Sequence, residues 1–342
     1  MSTTPPPARL FVLLARQASI GVILRRGPSD RVQMIKWYTN TDKFEEGQWF
    51  HGRIYEQLSD ISPNGKYVTY HAFKPGNQIK NPSYGNRWTA LSNPPKFTAV
   101  ALWPFHGDDQ RGGAYFQSND TLVLNHHEQD NQHYHFKHVP PKNLNVLLPS
   151  EWEGTRRERY MNQGTLHLLV GNQLFEHRLD RDGWKGENED GKLQSRRHNR
   201  RYTLILAGEI DYENHNTWNP KSIVPSQAWY KTNKSNSIVI CISRTRHILK
   251  NRWAGFRNIW WRNVQTKLQY DFLLLNHDRT DLYPIDNITW ADFDQKGRLV
   301  LAKEGKLFSA ALQNGDLQLT ELADFNANKP DPQPAPDCAT KW

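Results

Sequence analysis

Apolar runs of four to eight residues, each closed by a turn signal, recur from one end of this chain to the other and restrict it to folds made of many short strands. They lie at residues 21–24, 33–38, 66–70, 98–103, 121–124, 202–206, 237–242, 271–275 and 298–301. Each is too short for an ordinary helix and rich in Val, Ile, Leu and aromatic residues. Between them stand Asn64-Gly65, Asp182-Gly183, Asp190-Gly191, Glu304-Gly305 and Asn314-Gly315, the dipeptides that close hairpins. The pattern predicts roughly eighteen strands.

Composition matters here because an all-β chain of 342 residues must fill a large core with only 37% hydrophobic residues. The 13 Trp, 13 Tyr and 14 Phe make that feasible, since each buries a large area. The 20 Pro and 21 Gly suit many short connections.

Internal repetition narrows the fold further. Residues 164–179 align without a gap on 297–312, both reading G-x-L-x-L and then L-F-x-x-x-L. The two copies start about three periods of ~44 residues apart, the length of a four-stranded propeller blade. Residues 60–68 echo 292–300, and 116–124 are a weaker third copy. At Asp60-Ile61-Ser62-Pro63-Asn64-Gly65-Lys66-Tyr67 the chain resembles the strand-turn-strand signature of WD40-like and TolB-like β-propellers, in which Gly supplies the positive φ of the turn. Residues 21–29, 52–56, 101–104, 291–294 and 297–300 are similar to an uncharacterised bacterial family with propeller-like repeats. That similarity spans most of the chain; it implies a fold and no activity.

Two stretches break the strand rhythm. Residues 125–142, polar and His-rich, and 180–201, charged and Gly-containing, are expected to be long loops projecting from the scaffold. Residues 1–15 read as an N-terminal extension, 16–325 as the propeller domain and 326–342, with four prolines, as an extended tail. Cys241 sits in an apolar run far from Cys338, so no disulfide framework is expected. Residues 10–15 are too short for a signal peptide or membrane span, which predicts a cytoplasmic protein with no membrane partner. A net charge of +9 gives a mild attraction for anionic partners.

Several groups could carry chemistry. His126, His127, His133, His135 and His138, with Glu128 and Asp130, are the candidate metal ligands, yet their spacing fits no metal motif, so no metal is expected. Arg196, Arg197, Arg200 and Arg201, with Arg156, Arg157 and Arg159, could grip phosphates or an acidic surface. A solvated hairpin is the simpler account. Trp184 nearby reads as exposed. Glu209, Asp211 and Glu213 alternate as one face of a strand would, and His106-Gly107-Asp108-Asp109 reads as a tight loop in which Asp108 is the one candidate acid. No nucleophile elbow, phosphate-binding loop, dinucleotide fingerprint or C-x-x-C pair occurs. Finally Trp253, Phe256, Trp260 and Trp261 interleave with Arg246, Lys250, Arg252, Arg257 and Arg262. That mixture suits either packing between blades or an interface.

The sequence therefore predicts an all-β protein, a β-propeller of about five four-stranded blades with long inserted loops. Its expected use is as a non-catalytic scaffold for another protein, without a cofactor. Trp253, Arg257, Trp260, Trp261, Arg196, Arg197, Arg200 and Arg201 are the partner-binding candidates. The alternatives are a glycan-acting enzyme with its site at the central channel and a nucleic-acid-binding module using the Arg-rich loop.

Overall fold

The computed structural model describes residues 6–27, 30–105, 112–126, 134–147, 171–186, 224–235, 237–246, 268–277, 283–331 and 334. The chain is mostly strand, with nineteen strands and two helices among those residues. Five sheets follow one another along the sequence. β1 (Arg9–Leu14) to β4 (Lys43–His51), with β2 (Ile20–Arg26) and β3 (Arg31–Tyr38) between, form the first. β5 (Arg53–Ile61), β6 (Val68–Phe73), β7 (Arg87–Ser92) and β8 (Ala99–Phe105) form the second. β9 (Ala114–Phe116), β10 (Thr121–Leu124) and β11 (Asn145–Leu147) form the third. The fourth is β12 (Lys185–Gly186), β13 (Val224–Thr232), β14 (Ile238–Arg246) and β15 (Leu268–Asn276). The fifth is β16 (Ile288–Phe293), β17 (Leu299–Lys303), β18 (Lys306–Gln313) and β19 (Asp316–Asp324). Four are antiparallel meanders of four strands. The third has three strands, and its β11 runs parallel to β10.

Two compact units account for the chain: residues 1–178 with 289–342, and residues 179–288. In the first unit β1 lies against both β5 and β17, and β5 lies against β9. Runs such as 22–24, 68–72 and 99–105 are buried along their length because these strands pack on both faces. The edge strands β4 and β19 are exposed and rich in carboxylates instead, which discourages edge-to-edge pairing. β8, also an edge, accommodates Pro104 without losing a ladder bond. In the second unit Tyr230, Val239 and Leu275 form a small core with Leu273 against it, and Trp184 and Trp229 are buried.

The echo between 60–68 and 292–300 has a structural basis. Both segments are the first hairpin of their sheet, β5–β6 and β16–β17, and 116–124 is the first hairpin of the third sheet, β9–β10. The Gly65 N–H donates to the Ser62 carbonyl and the Gly297 N–H to the Asp294 carbonyl, each at 2.8 Å, with both glycines at φ near +70° to +77°. Only glycine adopts that conformation without strain. These first turns are joined in series. Gln295 Nε2 donates to the carbonyls of Ala15 (2.7 Å) and Ile20 (3.1 Å) in the β1–β2 turn. The Gln17 N–H donates to the Pro63 carbonyl at 2.8 Å, and the Asn64 N–H to Asn119 Oδ1 at 2.8 Å. Asn119 Nδ2 returns to Gln17 Oε1 at 3.1 Å.

Four sequence expectations need correction. Residues 174–179, aligned on 307–312, lie in the helix α2 (Gly171–Arg181) whereas 307–312 lie in β18, so that repeat pair fails. Leu174, Phe175, Arg178 and Leu179 are buried at positions i, i+1, i+4 and i+5, one face of a helix; the L-F-x-x-x-L spacing fits either element. Residues 9–14, read as part of an extension, form β1, whose Leu10, Val12 and Leu13 enter the core. Asn326, the first residue of the supposed tail, is held in place: its Oδ1 accepts the Ala8 N–H and its Nδ2 donates to the Glu304 carbonyl. Trp184 is buried, with Lys231 Nζ 5.6 Å from its ring centroid.

Candidate functional site

The six large apolar side chains left exposed among the described residues are Ile79, Tyr134, Phe136, Val139, Leu312 and Leu319. Three of them fall within 134–139, and Ile79 belongs to the short helix α1 (Asn77–Lys80) that leads into Tyr84. The segment that carries the three does not project as the sequence predicted. It folds back along the free edge of β8, where the Leu102 N–H donates to the His138 carbonyl (3.2 Å) and the His135 N–H to the Leu102 carbonyl (2.8 Å). An edge strand with unmet backbone groups is the physical reason a polar segment settles there.

Hydrogen bonds then fix the rings. His138 Nδ1 lies 3.0 Å from the Ala99 carbonyl, which can only accept, so Nδ1 carries the proton and Nε2 accepts the Tyr84 hydroxyl at 3.0 Å. The Lys137 N–H donates to His135 Nδ1 (3.3 Å), leaving Nε2–H to donate to Ser83 Oγ at 3.0 Å. His135 stacks on Tyr84, centroids 3.9 Å apart at 23°, and on Phe136, 4.7 Å apart at 26°. Burial, then the neighbouring His138 and Lys137 charges, holds His135 below the ordinary imidazole range; burial does the same for His138. Both rings are therefore neutral at pH 7. The result is a stack of three nearly parallel rings whose outer member, Phe136, is 69% exposed, with Lys137 Nζ 5.6 Å from its centroid.

Of the histidines considered as metal ligands, three are described. His126 is buried elsewhere, His135 and His138 hold the stack, and His127, His133, Glu128 and Asp130 lie outside the described residues. No group of three or more His, Cys, Asp or Glu among the described residues could hold a metal ion.

His126 belongs to a buried network with His71 and Thr89. Thr89 Oγ1 accepts the Gly113 N–H (2.9 Å) and lies 3.1 Å from His71 Nδ1 and 2.8 Å from His126 Nε2. A hydroxyl has one proton and two lone pairs, so one ring donates to Thr89 and the other accepts from it. Burial lowers the His71 pKa to about 3, and the Arg87 charge pushes the same way. This cluster ties β6 and β7 to Gly113 and His126, which flank β9 and β10.

The helix α2 packs against the first unit's sheets. Leu174 of α2 joins Leu58, Tyr115 and Val123 in one buried cluster. Phe175 meets Phe11 with centroids 6.2 Å apart, and His177 meets Tyr115 edge-on at 4.8 Å. The first strands β1, β5 and β9 of three successive sheets are thereby covered by one helix. Asp60 is a buried carboxylate here, and it is engaged: Arg178 Nε lies 3.3 Å away, and the Phe116 N–H donates to Oδ2 at 2.8 Å. A shallow open depression of about 370 Å³ lies over the β5–β6 and β9–β10 turns, lined by Asn64, Lys66, Tyr67, Asn119 and Asn143 among others.

Trp253, Arg257, Trp260, Trp261, Arg196, Arg197, Arg200 and Arg201 all lie outside the described residues, as do Asp108, Glu209, Asp211 and Glu213. Sequence reading passed over Ile79, Tyr84 and Phe136. The signal that could have found Phe136 is the alternation of Tyr134 and Phe136 inside an otherwise polar segment; nothing local marks Ile79 or Tyr84. No helix among the described residues is long and apolar enough to cross a membrane. No family model and no curated protein matches the chain.

Proposed function

We propose that this protein is a β-propeller of about five blades that acts as a non-catalytic scaffold and binds another protein. Consecutive meanders, first strands in mutual contact and first turns hydrogen-bonded in series support the propeller reading. The single observation that carries the binding role is the set of exposed apolar residues Ile79, Tyr134, Phe136 and Val139 on two segments that the Tyr84 and His135 contacts hold together, with Phe136 stacked on His135. Isolated exposed apolar residues need no explanation, but a concentration of them on a rigid support marks an interaction surface. Pre-ordered aromatic side chains also lose little entropy on binding.

Site-specific photo-cross-linking in the native cell tests the proposal. With benzoylphenylalanine in place of Tyr134 or Phe136, a discrete heavier adduct containing a second protein is expected, and none with the same group at Thr320 on β19. Adducts of equal intensity at all three positions, or none at 134 and 136, would overturn it.

A further inference from the structure

The charge carried by the two described segments that hold the exposed rings is one-sided. Residues 74–87 and 134–147 are held together by the Tyr84 contacts to His135 and His138 and by the Ser83 bond to His135. Between them they contain Lys74, Lys80, Arg87, Lys137 and Lys142 and not one carboxylate. All four lysines are exposed. A surface with this make-up repels a basic partner and, with its imidazoles neutral, draws its positive field from the four lysines and Arg87.

From this arrangement, and resting on the scaffold reading above, we infer that the partner presents an acidic segment bearing an aromatic or aliphatic anchor, which packs against Phe136 while its carboxylates lie over Lys80 and Lys137. The stack of Tyr84, His135 and Phe136 is extended by the anchor as a further layer, and the lysines set the charge of the flanks. An acidic polypeptide fits better than a nucleic acid for a particular reason. Ile79 is 87% and Val139 52% exposed; these aliphatic side chains gain from apolar side chains of a partner, whereas bases and phosphates would cover them poorly.

The test uses the full chain and three labelled probes: a short peptide with one Leu-Phe pair among Asp and Glu, the same peptide with Lys and Arg for its acids, and oligouridine. Wild-type protein is expected to bind the acidic peptide, measured by fluorescence anisotropy, and to ignore the basic one. Combined Tyr134→Ser and Phe136→Ser should weaken binding by at least about tenfold, as loss of an aromatic anchor does. Combined Lys80→Glu and Lys137→Glu should do the same, while Leu312→Ser leaves it unchanged. All these sites are exposed, so unchanged melting profiles are expected and show that the variants fold. The inference is overturned if wild type fails to bind the acidic peptide or if the Tyr134/Phe136 variant binds it equally well. It is also overturned if oligouridine binds more tightly, with a steep salt dependence lost in the lysine variant, which would make the surface a nucleic-acid site. In each of these cases the cross-links at 134 and 136 decide the scaffold reading separately.

Discussion

Arg298 grips Asp42 with both arms of its guanidinium, Nη1 to Oδ2 at 2.8 Å and Nη2 to Oδ1 at 2.9 Å, and so ties the fifth sheet to the first. Its Nε donates at the same time to Asp294 Oδ2 at 2.8 Å, and Trp37 Nε1 completes the Asp42 site at 3.2 Å. Hydrogen bonding from Arg298 is the largest influence holding Asp42 below the usual carboxylate range. Because the Asp294 side chain is fully buried, removing the arginine leaves it a buried carboxylate with no cationic partner from Arg298 and only the Lys296 and Arg298 backbone N–H groups on Oδ1. Arg298→Ala is therefore expected to lower stability by about 2 kcal/mol in a denaturant titration, and Arg298→Lys by about half as much, since lysine keeps the charge but not the fork.

Arg178→Ala makes a sharper case. Asp60 is buried with Arg178 beside it, and Arg178 also donates through Nη1 to the Ser59 carbonyl. Breaking a buried pair from one side is expected to cost about 3 kcal/mol or more. Asp60→Asn should cost less, because an amide oxygen can still accept the Phe116 N–H. Equal effects of the two substitutions would refute this assignment.

Gly113 has φ +83°, and a Cβ there would stand 2.6 Å from the Leu58 carbonyl oxygen and 3.0 Å from Leu174 Cδ2. Backbone cannot yield as a side chain can, so Gly113→Ala combines a strained dihedral with a clash between β9, β5 and α2. We expect a loss of at least about 3 kcal/mol. Gly183→Ala, at φ +87° but with nothing near its Cβ, should lose only about 1 kcal/mol by the same measurement.

His71, whose pKa burial lowers to about 3, sets a pH dependence of definite sign. From about pH 6.5 down toward that value the unfolded chain holds a proton that the folded one does not, so stability is full above about 6.5 and is lost on acidification. The slope from this group reaches at most about 1.4 kcal/mol per pH unit; His135 and His138, also lowered by burial, add to it. His71→Gln should flatten the decline in denaturation free energy measured across that window, and an unchanged slope would contradict the role.

Much of the fold could be read from residues alone. Short apolar runs and Asn-Gly or Glu-Gly turns give strands and hairpins because alternation, β-branching and positive φ are local properties. The echo of 60–68 in 292–300 carried further, since a turn capped by its own Ser62 or Asp294 side chain is also local. The pairing of 164–179 with 297–312 misled, because L-F-x-x-x-L puts its apolar residues on one side of a helix as readily as along a strand.

The site was less legible for a physical reason. Sequence alone determined that this is a strand-built protein rich in aromatic residues with a slight excess of positive charge. It also contained every residue of the exposed group, and the absence of carboxylates from 74–87 and 134–147. What only the tertiary structure decided is which of those residues meet: that 134–139 would settle on the open edge of β8, that Tyr84 would stack on a histidine about fifty residues away in sequence, and that Phe136 would be left outside while His126 was enclosed. Burial and stacking depend on packing between segments distant in the chain, and a local pattern of side chains holds no information about which distant edge remains unpaired.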